Sequence, residues 1–362
     1  MWVELIIILG IYAPYYAFIK FIGSDWGKWK EHKTETAENT SLTIIIPFRN
    51  EITGLLDLIS SLNSQISSMT KVILVNDHST DDCVKLVTNS INSLDNFRAF
   101  SSNETGKKAA LTTGIKQADS DWILTLDADV ILPSQWFSEI KKALNTSASM
   151  VILPVTISGD ESLLQKFEVF DFLALQGFTF STHLASEPFL ANGAHLAFKK
   201  SIWDQLGGYE SHPQIASGDD VFLLETFRKN SQKIDRVWNK NLLVATDVCA
   251  NWKEFLHQRV RWGSKTASID SKESRKFALI ISVANIVLVL LALFGSLRMA
   301  IFGLIAKSLA DIRFIVPVLK TYQRRDLIKF SPLFALYYPF YFTFVGIATL
   351  IITPKWKGRR VK

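Results

Sequence analysis

The chain has 362 residues, 48% hydrophobic and 20% charged, with a formal net charge of +6. That length holds one large domain with additions or two modest ones, and the apolar excess at both ends is high for a wholly soluble protein. No basic stripe with interleaved aromatics marks a nucleic-acid surface, so the surplus Lys and Arg suit anionic lipid heads. Cys83 and Cys249 are too few and too far apart for a disulfide framework or a thiolate metal site, which agrees with a reducing compartment.

Residues 1–23 are apolar over about the 20 residues that span a bilayer core. They have no basic n-region and no small-residue cleavage site, so they read as an anchor helix rather than a signal peptide. Residues 24–40 are polar and charged, a linker, with Lys28, Lys30 and Lys33 just after the anchor. Strands and helices then alternate over a body at 41–270. Leu42–Pro47 is a buried strand, and a helix with Leu55, Leu56, Ile59 and Leu62 follows. Val72–Val75 is the next strand, followed by a helix with Val84, Val87 and Ile91. Residues 97–100 form a short strand, 107–118 a helix, and Trp122–Leu126 another strand. This alternation predicts an α/β fold with parallel strands and crossover helices. Residues 161–180 carry Leu163, Phe167, Phe170, Ala174 and Phe178 as a helical stripe, either a core helix or one lying against the bilayer.

The C-terminal membrane region is expected at 277–353, with two or three spans, before a basic tail at 354–362. Residues 277–295 carry no charge, whereas 299–319 contain Lys307, Asp311 and Arg313. Lys307 and Asp311 are four apart and can pair on one face. Pro332 and Pro339 interrupt the stretch 331–353. Lys272, Arg275 and Lys276, with the lysines after the anchor, place the body in the cytoplasm by the positive-inside rule. Basic clusters on both sides of the last stretch leave the total at three or four spans.

The chemistry gathers at strand ends. Asp127-Ala128-Asp129 closes the Trp122–Leu126 strand at the edge where open α/β sheets bind ligands. Two carboxylates there suit a divalent metal holding a phosphate-bearing substrate. Pro47-Phe48-Arg49-Asn50-Glu51 ends the first strand beside a helix start. Asn76-Asp77-His78-Ser79-Thr80-Asp81 ends the second: Asp77 can accept from a base or ribose, while Ser79 or Asp81 can cap the next helix. Gly106-Lys107-Lys108 offers a cation at a helix start, with Lys108 the more solvated of the two. Asp219-Asp220 after Gly218 supplies a general base or merely a dipole-favoured cap. In Gln258-Arg259-Val260-Arg261-Trp262, Arg261 can pair with phosphate and Trp262 can stack on a sugar, although a juxtamembrane anchor looks similar. No NTPase loop, dinucleotide fingerprint, G-x-S-x-G or H-E-x-x-H is present.

In order and content, IIIPFRNE, VNDHSTD, TGKKAAL, ILTLDADV, LANGAHLAFKKSIWDQLGGYE, SGDD and QRVRW resemble the membrane-bound family 2 glycosyltransferases. The last motif resembles that of polysaccharide synthases and some lipid glycosyltransferases. The resemblance implies a GT-A fold, a Rossmann-like nucleotide-diphospho-sugar transferase domain, between N- and C-terminal transmembrane helices. It implies donor binding by Pro47, Asn50, Glu51, Asp77 and Lys107, with Asp77 on base and ribose and Lys107 on the diphosphate. Asp127 and Asp129 would face the nucleotide sugar and its Mg2+ or Mn2+. Asp220 would be the base, with Asp219 as its alternate, and Gln258, Arg261 and Trp262 would line the acceptor and leaving-group side. Asn76 stands where the family usually has an acid, and His195 where it more often has Asn.

The implied reaction is inverting transfer from a nucleotide-diphosphate sugar, UDP-linked, to a lipid or growing polysaccharide. It would take place at the cytoplasmic face of a multi-pass inner-membrane protein. The competing readings are a sugar nucleotidyltransferase and a non-enzymatic membrane transporter or scaffold.

Overall fold

The computed structural model describes residues 2–23, 26, 40–181, 188, 190–209, 219–266, 272–353, 355–356 and 359–360. Lys28, Lys30, Lys33, Gly218, nearly all of the expected linker and much of the basic tail lie outside the described residues. The chain opens with α1 (Trp2–Ile22) and enters the sheet through β1 (Leu42–Phe48), α2 (Ile52–Gln65), β2 (Thr70–Asn76) and α3 (Cys83–Ile91). Next come β3 (Phe97–Ser101), α4 (Lys107–Lys116), β4 (Trp122–Leu126), α5 (Trp136–Ala143), β5 (Met150–Ile152) and β6 (Val155–Ser158). The long α6 (Leu163–Ser181) precedes β7 (His195–Lys199), α7 (Lys200–Gln205), α8 (Asp219–Lys229), β8 (Ile234–Arg236) and β9 (Val244–Asp247). Four helices follow: α9 (Trp252–Thr266), α10 (Lys272–Phe294), α11 (Leu297–Thr321) and α12 (Ser331–Ile351). A short antiparallel ladder of β10 (Lys355–Trp356) and β11 (Arg359–Arg360) comes last.

Contacts divide the chain into two compact units. One holds 30–158 and 187–247; the other holds 1–29, 159–186 and 248–361. The first is built on a sheet of order β3-β2-β1-β4-β7-β5-β8. β3, β2, β1 and β4 run parallel, β7 is antiparallel to both its neighbours, and β8 runs parallel to β5. Every residue of β1 and β4 is buried, as expected of strands covered on both faces. The one polar side chain inside β1, Thr43, shares a hydrogen bond with Ser120 at 2.6 Å. α2 buries Leu55, Leu58, Ile59 and Leu62, and α3 buries Cys83, Val87 and Ile91, leaving Val84 outward.

The second unit is helical. Within it the α6 stripe meets aromatic residues: Phe167 lies 5.1–5.3 Å, ring to ring, from Phe334, Tyr337 and Tyr341 of α12. The expected body at 41–270 is thus shared between the two units, because α6 and α9 put their apolar faces against α11 and α12. Tyr12 of α1 donates to the Ala284 carbonyl at 3.1 Å, and Tyr15 donates to Asp311 at 2.6 Å. Lys307, 1% exposed, pairs with Asp311 as their spacing predicts. Among the described residues, three stretches are long and apolar enough to cross a membrane: Glu4–Ile22, Arg275–Phe294 and Arg325–Ile351. The charge-bearing α11 is not one of them.

Candidate active site

Chain progress in the sheet reverses at β1, and open α/β sheets bind ligands at the strand C-termini beside such a reversal. The β1–β4 ladder ends at Ile45–Thr125, so Pro47 falls where β1 pairs with β2 alone. Both strands leave the sheet near a left-handed residue, Asn50 at φ 53° and His78 at φ 51°. Asn50 ties the two exits together. Its Nδ2 donates to Thr80 Oγ1 at 3.2 Å, its Oδ1 accepts from Thr80 N at 2.9 Å, and its own N–H donates to Ser79 Oγ at 3.1 Å. Asn76 Oδ1 accepts from Ser79 N at 2.8 Å, and Asp81 Oδ1 accepts from Cys83 N at 3.2 Å at the start of α3. Asp77 reaches instead to the next loop: it is 1% exposed and its Oδ1 accepts from Gly106 N at 2.8 Å. Arg49 braces it from behind, Nη1 donating to the Asp77 carbonyl at 2.7 Å.

Gly106 hands the chain to α4, whose first residue is Lys107. The Lys107 ammonium lies 2.6 Å from Asp127 Oδ1 and 3.4 Å from Asp219 Oδ2. Burial opposes its charge, but Asp127 and then Asp219 outweigh that and hold it above the ordinary lysine range. Asp129 shows the opposite stress: burial, then the Asp127 charge, push its carboxyl up to about 6. Glu51 adds to that field from the start of α2. That helix comes close because residue 54 is glycine; a Cβ there would sit 3.2 Å from Asp129 Cα.

Two crowded carboxylates with a lysine drawn onto one of them are short of positive charge, and their all-oxygen donor set fits a hard cation such as Mg2+ or Mn2+. Among the described residues no three His, Cys, Asp or Glu gather to hold an ion, so further oxygens would come from a ligand.

Asp219 and Asp220 open α8. Asp220 is held at both oxygens, accepting from Gly193 N at 3.1 Å and from Val221 N at 2.8 Å. Gly193 is fixed in turn by Thr125 Oγ1, which donates to its carbonyl at 2.9 Å. A side chain at 193 would collide with Asp219, whose Oδ2 lies 2.8 Å from the Cβ position. Asp77, Lys107, Asp127, Asp129, Asp219 and Asp220 therefore close on one region of the sheet edge.

The family model described as Glycosyl transferase family 2 matches residues 43–200, the span that builds this edge up to β7. That stretch is similar to a family 2 glycosyltransferase domain. Poly-beta-1,6-N-acetyl-D-glucosamine synthases of Staphylococcus epidermidis and Staphylococcus aureus (strain COL) are each 26% identical to it, over 257 and 233 residues. These matches take in 68% and 62% of this chain, which spans 59% and 54% of the relatives' own length. Among solved structures, the mannosyltransferase PcManGT from Pyrobaculum calidifontis, in complex with GDP-Man and Mn2+, matches with a TM-score of 0.60 at 17% identity. That match covers 92% of this chain and 98% of the other. The likeness is one of fold, and that fold is GT-A.

Within the matched stretch His195 is a packing residue. It is fully buried, with Nε2 3.1 Å from Trp136 Nε1 and Nδ1 3.1 Å from the Pro154 carbonyl. An indole N–H only donates and a carbonyl only accepts, so the imidazole is neutral with its proton on Nδ1. Burial pushes its pKa down to about 3 against the opposing pull of Pro154. Lys108 turns toward α8, 4.9 Å from the Phe222 ring centre.

Gln258, Arg261 and Trp262 lie on α9, in the helical unit. The Trp262 ring is 6.0 Å from that of Phe172, and the Arg261 carbonyl accepts from Ser264 Oγ at 2.9 Å. Gln258 Oε1 accepts from Arg259 Nη1. Arg49, Gly193 and Arg259 carry roles that motif reading passed over. All three lie within the motifs, but a guanidinium bonded to backbone carbonyls, a backbone N–H and a position between motif residues give no signal of their own.

Proposed function

We propose that this chain transfers a sugar, with inversion at its anomeric carbon, from a UDP-linked or other nucleotide-diphosphate sugar to a lipid or growing polysaccharide. The reaction takes place at the cytoplasmic face of the membrane. The observation that carries this reading is the closure of Lys107, Asp127, Asp129, Asp219 and Asp220 on the sheet edge beside Asp77.

Asp77 takes the base and ribose, and Pro47, Asn50 and Glu51 shape the loop beside it. Asn50 does so as a brace, since its side chain is engaged with Thr80. Asp127 and Asp129 would hold Mg2+ or Mn2+, which when bound would neutralise diphosphate charge. Lys107, at a helix start, offers its ammonium to the leaving phosphate. As the acceptor oxygen bonds to the anomeric carbon, the bond from that carbon to the diphosphate oxygen breaks. The hydroxyl proton passes to Asp220, whose carboxylate is already oriented by Gly193 and Val221. Gln258, Arg261 and Trp262 serve the acceptor and leaving-group side. The three apolar stretches and the basic flanks support the membrane setting.

The test is a donor screen with detergent-purified protein, scored by nucleoside diphosphate release with and without a lipid extract. UDP-N-acetylglucosamine and GDP-mannose head the donors, since the relatives and the structural neighbour are named for those sugars. Acceptor-dependent release of nucleoside diphosphate supports the proposal. Pyrophosphate release would replace it with a nucleotidyltransferase, and failure to bind any nucleotide would leave a scaffold.

A further inference from the structure

Arg259 is the point where the surroundings of α9 meet. Its side chain is 4% exposed, and Nε donates to Asp171 Oδ2 of α6 at 2.6 Å. Nη1 donates to Gln258, while the guanidinium carbon lies 4.2 Å from the centre of the Trp262 ring and 4.7 Å from that of Phe255. Asp171, itself 3% exposed, also accepts from the Tyr341 hydroxyl of α12 at 3.2 Å. Glu168, three residues earlier on α6, is fully buried and accepts from Cys249 N at 2.9 Å. Glu168 Oε1 and Arg259 Nη2 are buried without a hydrogen-bond partner.

A buried ion pair is weak evidence for stability, because an apolar pair of similar volume is often as stable or more so. What this pair does visibly is aim. A planar guanidinium serves three directions at once, which a lysine ammonium on its flexible stem does not. One edge of Arg259 is tied to α6, another grips Gln258, and its face covers Trp262.

We propose that Arg259 is a positioning residue for sugar transfer: anchored by Asp171, it fixes the Gln258 amide and the Trp262 ring in place before the acceptor arrives. This rests on the reading that Gln258 and Trp262 serve the acceptor. Tyr341 extends the anchor to a helix of the apolar Arg325–Ile351 stretch, so the orientation of α9 is set from α6 and α12 together.

The experiment uses the full chain in detergent, with Arg259→Met combined with Asp171→Leu, Arg259→Lys alone, and Gln258→Ala and Trp262→Ala as references. Four quantities are measured: UDP affinity, thermal unfolding, and kcat and KM for the acceptor extract. The apolar double variant removes the Tyr341 hydroxyl's acceptor and the cation beside buried Glu168, so it is expected to unfold somewhat below the wild-type temperature while binding UDP normally. Its transfer should slow by about 100-fold, the cost that a misplacement of about 1 Å can carry even from a mutation far from the reacting atoms. Arg259→Lys keeps the charge and loses the fork, so its transfer should fall between the two. Wild-type transfer by the double variant would overturn the inference. Should the double variant not fold, Arg259→Lys decides: reduced transfer at unchanged UDP affinity supports positioning, and wild-type transfer overturns it. If Gln258→Ala and Trp262→Ala both transfer normally, the acceptor reading has failed and the inference falls with it. Loss in those two without loss in the double variant overturns positioning alone.

Discussion

Asp220→Asn separates chemistry from scaffolding at the proposed base. The Asp220 carboxylate receives two backbone N–H groups, from Gly193 at 3.1 Å and Val221 at 2.8 Å. An asparagine carbonyl keeps one of them; its NH2 then faces the other donor, and an unsatisfied N–H costs about 1–3 kcal/mol. Loss of a positioned base slows turnover by roughly 10²–10⁴, or about 2.7–5.4 kcal/mol of barrier. The two ranges touch, so rate alone does not decide. Donor affinity does. A base is needed only in turnover, whereas a disordered start of α8 would also loosen Asp219 and, 3.4 Å away, Lys107. The assay pairs UDP titration with nucleoside diphosphate release at saturating donor. The expected result is nearly unchanged affinity with the full rate loss. Equal, mild losses in Asp220→Asn and Asp219→Asn would reduce both acids to helix caps, and a full loss in Asp219→Asn alone would move the base to that residue.

Asp129→Ala should leave the fold intact, abolish metal-dependent turnover and make UDP binding indifferent to Mn2+; a surviving Mn2+ response refutes the metal assignment. The folded chain keeps His195 neutral down to about pH 3, while the unfolded chain takes up a proton near about pH 6.5. Stability is therefore lost as pH falls from about 6.5 toward 3, and His195→Gln should flatten that loss in urea melts. Equal slopes in the two proteins would contradict the buried neutral imidazole. Reporter fusions at residues 34 and 272 should both score cytoplasmic by the positive-inside rule, and an external signal at either point defeats the topology and the donor access that depends on it.

β1 and β4 were legible because each is an apolar run ending at turn-forming residues. The expected Trp122–Leu126 is the observed strand, and Leu42–Pro47 lengthens by one residue. β5 and β8, three residues each, are too short to show alternation. β7 was hidden inside the block that begins at Leu190, because an antiparallel strand inserted beside β4 breaks the alternating rhythm. The α6 stripe showed its period but not its partner, since a row of Phe serves a sheet or a helical bundle equally well. At the site, Asp77, Lys107, Asp127, Asp129, Asp219 and Asp220 were visible as charges at loop edges. Their convergence depends on Gly193 and Asn50, which act through backbone groups and local bracing. Asn76 and His195 departed from the family pattern, and both turn out to be bonded internally, to Ser79 and to Trp136 and Pro154.

The contact between Tyr15 and Asp311 bears on biogenesis. α11 carries a buried lysine and its acid partner, and such a helix enters a hydrocarbon phase reluctantly. The hydroxyl that completes the acid's coordination comes from α1, synthesised 296 residues earlier. α1 is thus more than a tether: its Tyr12 and Tyr15 hydroxyls are fixed points for α10 and α11. Trimming it to obtain a soluble catalytic fragment would strip Asp311 and the Ala284 carbonyl of their outside donors. The damage would surface far from the cut, in how the C-terminal bundle assembles.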